Sequence, residues 1–297
     1  MERLTTKLKD FCVLILFLVL LPVQLWSQSD TTVVAEEPEI DYASGTFHST
    51  RIINGHSVEQ MLQRQLEFRI SHRFGETSSG AYNLFGLDFS QIHFSLEYGI
   101  KDWLELGIGR SNFEKTFDGF VKVTLLRQST GDRNWPFHLT YVGSTEVTGL
   151  KWTNPAADNP FSSRMAFVHQ LLIARKFSKS LSMQLTPVFV HRNLVGEAIE
   201  PNDLYALGIG GRYKITRKVS FNAEYFYVYR QNAKYLDPQF YNPLSVGFDI
   251  ETSGHVFQLM LTNCRGMREG GFIGKTTGNW LDGDFRLGFN ISRTFSL

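Results

Sequence analysis

The feature that most constrains this chain is a two-residue alternation of apolar and polar side chains that begins near residue 65 and recurs to the C-terminus. In Gln65-Leu66-Glu67-Phe68-Arg69-Ile70-Ser71-His72-Arg73-Phe74, one face carries Leu66, Phe68, Ile70 and Phe74. The other carries Gln65, Glu67, Arg69, Ser71 and Arg73. Side chains alternate across a strand, so this segment cannot be buried on both sides without stranding charges. Ile92, Phe94, Leu96 and Tyr98 alternate in the same way with Gln91, His93, Ser95 and Glu97. Near the C-terminus Phe285, Leu287, Phe289, Ile291 and Phe295 alternate with Arg286, Gly288, Asn290, Ser292 and Thr294. A helix needs a period of about 3.6, which these runs do not follow.

The pattern predicts strands over 65–74, 90–99, 103–111, 117–127, 136–145, 164–175, 181–191, 204–214, 219–230, 244–251, 255–262 and 285–295. Most are about ten residues long, the length a tilted strand needs to cross hydrocarbon, whereas globular strands average about five to six. The links alternate in length as well. Even-numbered links, such as 99–102, 176–180, 215–218 and 252–254, are tight, with 128–135 longer. Odd-numbered links, including 75–89, 146–163, 192–203, 231–243 and 263–284, are longer and rich in Gly, Asn, Pro and aromatic residues. Twelve strands put both chain ends on the short-turn side. The expected architecture is all-β: a closed antiparallel transmembrane β-barrel of about 12 strands, with short periplasmic turns and long outer loops. A soluble sandwich alternates too, with its apolar faces inward. Strand length, the phase of the links and the aromatic terminal strand ending Arg293-Thr294-Phe295-Ser296-Leu297 favour the barrel. Trp103, Trp135, Phe177 and Tyr213 fall near periplasmic strand ends, and Trp152 and Trp280 in outer loops, as interfacial rings would.

The N-terminus reads as an export signal over residues 1–27. Arg3, Lys7 and Lys9 precede an apolar run from Phe11 to Leu21, Pro22 breaks it, and Leu25-Trp26-Ser27 offers a cleavage site. As a helix that run rises only about 16 Å, too short for a bilayer core of about 30 Å. Residues 28–62 are expected to form a periplasmic leader and possible plug, ahead of a barrel over 63–297. Its first part is polar, with Glu36, Glu37, Glu39 and Asp41 around Pro38. Arg51-Ile52-Ile53-Asn54-Gly55 looks like a short strand and turn, and Ser57-Val58-Glu59-Gln60 has the spacing of a small helical cap. Plugging the lumen and lying against the periplasmic rim are both open. The chain has 30 Lys+Arg and 29 Asp+Glu, so nothing in its charge points to nucleic acid. Its 2 cysteines are Cys12, inside the signal, and Cys264. One mature cysteine allows no internal disulfide and no cysteine-based zinc cluster.

Several stretches resemble a family of uncharacterised outer-membrane β-barrel proteins of the Bacteroidota, a domain-of-unknown-function family. They are Arg51-Ile-Ile-Asn-Gly-His-Ser-Val-Glu59, Glu67-Phe-Arg-Ile-Ser-His-Arg-Phe-Gly75, Phe85-Gly-Leu-Asp88 and Leu96-Glu-Tyr-Gly-Ile-Lys-Asp-Trp103, continued by Gly107–Ser111, Lys115–Gly119, Leu125–Gly131 and Gly283–Phe295. The resemblance covers essentially the whole mature chain. It implies a barrel at the cell outer membrane and carries no activity or functional residue.

If the apolar faces meet lipid, Glu67, Arg69, Arg73, His93, Glu97, Glu105, Lys122, Arg212, Glu224, Asp249 and Arg286 line the lumen. They either orient polar solutes in a hydrated channel or fill the interior as paired charges. His93, Ser95 and Glu97 share a strand face, but i and i+2 lie nearly 7 Å apart, too far for a nucleophile and its base. The sequence offers no catalytic residue, no cofactor and no metal site. Gly208-Ile-Gly-Gly211 reads as strand glycine at a bend or close packing, and Asn279–Asp284 as a turn before the last strand. The expected function is a passive pore for small polar solutes, with a non-conducting barrel whose outer loops bind a partner or ligand as the alternative. The expected partners are outer-membrane lipid and, during biogenesis, the barrel-assembly machinery.

Overall fold

The computed structural model describes residues 39–156, 160–196, 199–232 and 235–297. The expected signal segment and Cys12 lie outside them. Twelve antiparallel strands close on themselves. They are β1 (Gln65–Phe74), β2 (Ser90–Lys101), β3 (Leu104–Ser111), β4 (Phe117–Leu126), β5 (His138–Val147), β6 (Met165–Lys176), β7 (Leu181–Arg192), β8 (Asp203–Lys214), β9 (Val219–Tyr229), β10 (Leu244–Thr252), β11 (His255–Thr262) and β12 (Arg286–Ser296). Every predicted strand is present, with ends within two residues of those read from the alternation. The seam joins β12 to β1, pairing Ile291 with Ile70 and Phe295 with Leu66. Closure gives every strand two partners, which a sheet in hydrocarbon requires because an open edge would leave its amides unpaired.

The alternation resolves as the charges demand. Phe68 and Phe94 are 37% and 42% exposed, while Arg69 and Glu97 are 2% and 0% exposed. The apolar rows therefore face outward. Aromatic pairs stack along the outer wall, Phe68 on Phe94 and His72 on Phe289. Trp103, Trp135, Phe177 and Tyr213 are exposed near the short-turn end.

Both described chain ends lie at the short-turn end. Ala43 donates to Gln128 O, Lys176 reaches Ser44 O, and the Leu297 amide donates to Arg64 O. Ile40–Tyr42 pairs there with Ser129–Gly131 in the longer β4–β5 link. From Thr46 the chain turns into the barrel, and residues 46–58 are buried apart from His48. At the other end the first part of the 263–285 link, residues 263–278, also folds inward, carrying a short helix α1 (Glu269–Gly274) whose six residues are all buried. The sequence reading placed this link outside as a loop, and the structure corrects that. Cys264, Phe272 and Ile273 bury against Val168, Val188, Val190, Leu204 and Phe226 of the wall. Exposed to water, those side chains would forgo roughly 1.5–3 kcal/mol each for the larger ones. A second apolar cluster joins Phe47, Ile52, Ile53 and Val58 of the threaded segment to Phe120, Val142, Leu172, Ala174 and Met260.

Ser57–Gln60 forms no helix, contrary to the capping spacing. The Ser57 hydroxyl instead bonds Ser49 O and accepts from the Glu59 amide, holding an extended chain. Gly210 is needed on β8 because a Cβ there would lie 2.5 Å from Ile52 Cδ1. Gly210→Leu is therefore expected to destabilise the protein by on the order of 1–3 kcal/mol through overpacking. Adding Ile52→Ala should recover part of that loss in urea-unfolding midpoints. A double variant no more stable than Gly210→Leu alone would contradict the contact.

Candidate functional site

The site is the filled lumen, and its core is a hairpin made by the threaded segment. Ile52 N donates to Gly55 O at 2.9 Å, Ser57 N donates to Thr50 O at 2.9 Å, and Arg51 bridges His56 in antiparallel fashion. Asn-Gly suits so tight a turn. Its tip sits on one wall carboxylate: Glu224 of β9 accepts the N–H groups of Ile53, Asn54 and Gly55 at 3.2, 2.8 and 3.1 Å. Three converging amides make an anion cradle, the arrangement in which backbone dipoles best compensate a buried charge.

All eleven inward residues chosen from the sequence are buried, and most of them hold this segment. Thr50 donates to Glu67 and to Glu97, at 3.2 and 2.8 Å, and Arg69 reaches Ser49 and Thr50. Arg73 donates to Asn54 Oδ1 at 2.8 Å. Glu105 accepts the Met61 amide at 2.7 Å, Lys122 donates to Glu59 O, and Arg212 donates to Gly45 O at 2.8 Å. Asp249 acts through Gln258, whose amide also reaches the carbonyls of Arg51 and Ile52. His93 and Arg286 stand apart at the long-loop end. His93 pairs with Asp118 at 2.7 Å, and Arg286 pairs with Glu76. Ser95 donates to Glu97 at 3.4 Å, so that row is part of the same packing.

The two inward segments meet at Glu269. Its carboxylate lies 3.0 Å from Arg51 and 3.6 Å from His56. Arg268 beside it grips Asp118, and the Gly270 amide donates to Glu146 at 2.8 Å. A Cβ on Gly270 would sit 2.6 Å from that carboxylate, so only glycine brings the backbone this close. Phe120 lies between the cations, 5.6 Å from both Arg51 and Arg268, with the His56 ring edge-on at 4.7 Å. Burial, with the Arg51 guanidinium beside it, pushes the His56 imidazole well below its ordinary pKa. Burial raises the Cys264 thiol to about 11 and keeps it protonated. Asp118 and Glu146 share the inward parity of Lys122 and Ser144, so the alternation carried the signal for them. The β5 strand runs to Val147, two residues past its predicted end, which left Glu146 unrecognised. Arg268 and Glu269 belong to an aperiodic loop and had no such signal.

Above this junction, at the long-loop end, opens a cavity of about 410 Å³ lined among others by Lys151, Trp152, Arg164, Leu194, Met267 and Gly270. The Asn279–Asp284 stretch forms a turn, its Asn279 side chain accepting from Leu281 N and donating to Asp282.

The model of the membrane bound beta barrel domain family (DUF5777) matches residues 47–295. Among solved structures the chain is similar to the NanC porin, at 9% identity over 78% of this chain and 100% of that chain, TM-score 0.47. It is similar to the KdgM porin at 9% identity over 78% and 99%, TM-score 0.47. It is also similar to the COG4313 outer membrane channel from Pseudomonas putida F1, at 12% identity over 80% and 97%, TM-score 0.43. No curated protein matches its sequence.

Glu224→Gln keeps the shape of the cradle but replaces one acceptor with a donor facing N–H groups. The expected loss is on the order of 1.5–3 kcal/mol, read as hydrogen exchange at Ile53, Asn54 and Gly55 at least about tenfold faster. Unchanged protection would show that the carboxylate does not hold the tip. Docking should also respond to acid. His48, lowered to about 4 chiefly by burial, and His56 are both held neutral when docked. A released segment would titrate near 6.5, so protons favour release: protection is full above that pH and falls as pH drops through it. His56→Gln should flatten the fall in protection factors between pH 7.5 and 5.

Proposed function

The chain belongs to the membrane bound beta barrel domain family (DUF5777), and on that footing we propose that it is an outer-membrane receptor barrel, closed in this state. In this reading the short turns face the periplasm, the long loops face the exterior, and residues 1–27 are removed on export. Lipid covers the outward apolar rows, and the barrel-assembly machinery inserts the chain. The supporting observation is the filled lumen. A passive pore needs a continuous hydrated path, whereas here two inward segments meet through Arg51 and Glu269 and each packs an apolar cluster against the wall. What stays open is the cavity at the long-loop end, so the alternative of a barrel whose outer loops bind a ligand fits this geometry better than free diffusion does.

Conductance in planar bilayers tests this directly. Refolded full-length protein is expected to give no stable current steps. A variant lacking residues 46–58 and with 264–276 replaced by a short Gly-Ser linker, strands β1, β11 and β12 intact, should give steps, because both inward segments are then gone and the wall carboxylates and cations face water. Stable steps from the intact protein under the same refolding conditions would restore the passive pore and remove the receptor reading.

A further inference from the structure

We propose that the cavity at the long-loop end binds a small anion with an apolar body, a carboxylate or a phosphate or sulfate ester. The proposal rests on the receptor reading and assigns its ligand class. The volume, about 410 Å³, falls within the roughly 300–1,000 Å³ usual for small-molecule sites. Five of the lining residues are cationic and two are acidic, but most of these charges are already committed. Lys275 pairs with Glu114 at 2.5 Å, Arg192 with Glu200 at 2.5 Å, and Arg268 with Asp118.

Two cations on one wall have no carboxylate partner among the described residues. Lys151 is exposed. Arg164 spends one nitrogen on the neutral carbonyls of Thr148 and Leu150, and its guanidinium lies 4.1 Å over the Trp152 ring. Stacking fixes the plane of that guanidinium and leaves its remaining N–H groups as a fork suited to an oxyanion. The acid without a cationic partner is Glu146, which is buried and accepts the Gly270 amide. A cationic ligand would therefore find its one acid without a cationic partner buried, and two cations without a carboxylate partner lining the same cavity. Around this wall Leu150 and Leu194 are 45% and 56% exposed, apolar surface at the mouth that a ligand body would cover. The floor is the segment carrying Arg268, Glu269 and Gly270, so an occupant touches the same element that holds Arg51 of the threaded hairpin.

The test uses refolded full-length protein in phosphatidylcholine nanodiscs, with ligand-observed NMR of 1-naphthoate, its cationic counterpart 1-naphthylmethylamine, and inorganic phosphate as competitor. Saturable binding of 1-naphthoate, weak competition by phosphate and no saturable binding of the amine are expected. Arg164→Gln should weaken 1-naphthoate about tenfold, the scale of a lost charge-assisted hydrogen bond, and Lys151→Gln about threefold. Leu194→Trp, which fills the mouth without altering charge, should also reduce binding, and heat-modifiable gel mobility verifies that each variant folds. Replacing part of the lipid with phosphatidylglycerol separates the sources: displacement of the probe points to a lipid headgroup, and retention points to a free solute. Equal affinity for the naphthoate and the amine, or affinity unchanged in both charge variants, would overturn the proposal. Failure of the probe with conductance still blocked removes the ligand class alone, whereas stable steps from the intact protein remove the receptor reading beneath it.

Discussion

A polypeptide threaded through a barrel must replace every hydrogen bond its backbone gave to water, and that exchange is the constraint on which this structure depends. An unpaired amide or carbonyl in a closed lumen costs on the order of 1–3 kcal/mol. The wall meets the requirement with long polar side chains aimed inward. Glu224 and Glu105 take amides. Lys122, Arg212, Gln258, Gln184 and Asn290 give to carbonyls. The inward charges are thus solvated by a peptide main chain in place of water, and the main chain by them.

Apolar packing then supplies affinity that hydrogen-bond exchange alone would not. The two clusters within the lumen have the composition of soluble cores, with Phe47, Ile52, Ile53 and Val58 at one end and Phe272, Ile273 and Cys264 at the other. The barrel is consequently apolar outside, where it meets lipid, and partly apolar inside, where it meets its own chain. Between the clusters lies the Arg51–Glu269 contact. A buried ion pair adds little net stability because desolvation offsets its attraction. Its contribution is registry: without Arg51 the buried Glu269 carboxylate faces only the neutral His56 ring, so the two segments favour one mutual arrangement. A ligand held against Arg268 and Gly270 would act on that arrangement through one residue.

Much of this was legible in advance, for a simple reason. Alternation is a local property, and the apolar exterior and polar interior of a barrel impose it on every strand. That is why twelve strands, and the burial of residues as distant as Glu67 and Arg286, follow from parity. The hairpin at Arg51–His56 was visible as a turn, since Asn-Gly is local turn chemistry. Its destination was not, because the polar wall groups that hold it lie on β1, β2, β7, β9, β10, β11 and β12 and no period relates them to residue 51. Parity also undercounted the apolar inward positions: Val142, Leu172, Leu204 and Phe226 face inward on strands where inward residues were expected to be polar.

By itself, the sequence determined the closed architecture and which side chains turn inward, because a strand offers only two faces and charge can occupy only one of them. Tertiary structure alone decided what the interior contains. The loop from Cys264 to Thr276 and the segment from Thr46 to Val58 have no repeating pattern, and either could have remained in water. They lie inside because long-range contacts, Glu224 with three amides and Glu269 with Arg51 and His56, make the lumen a better solvent for them than water is.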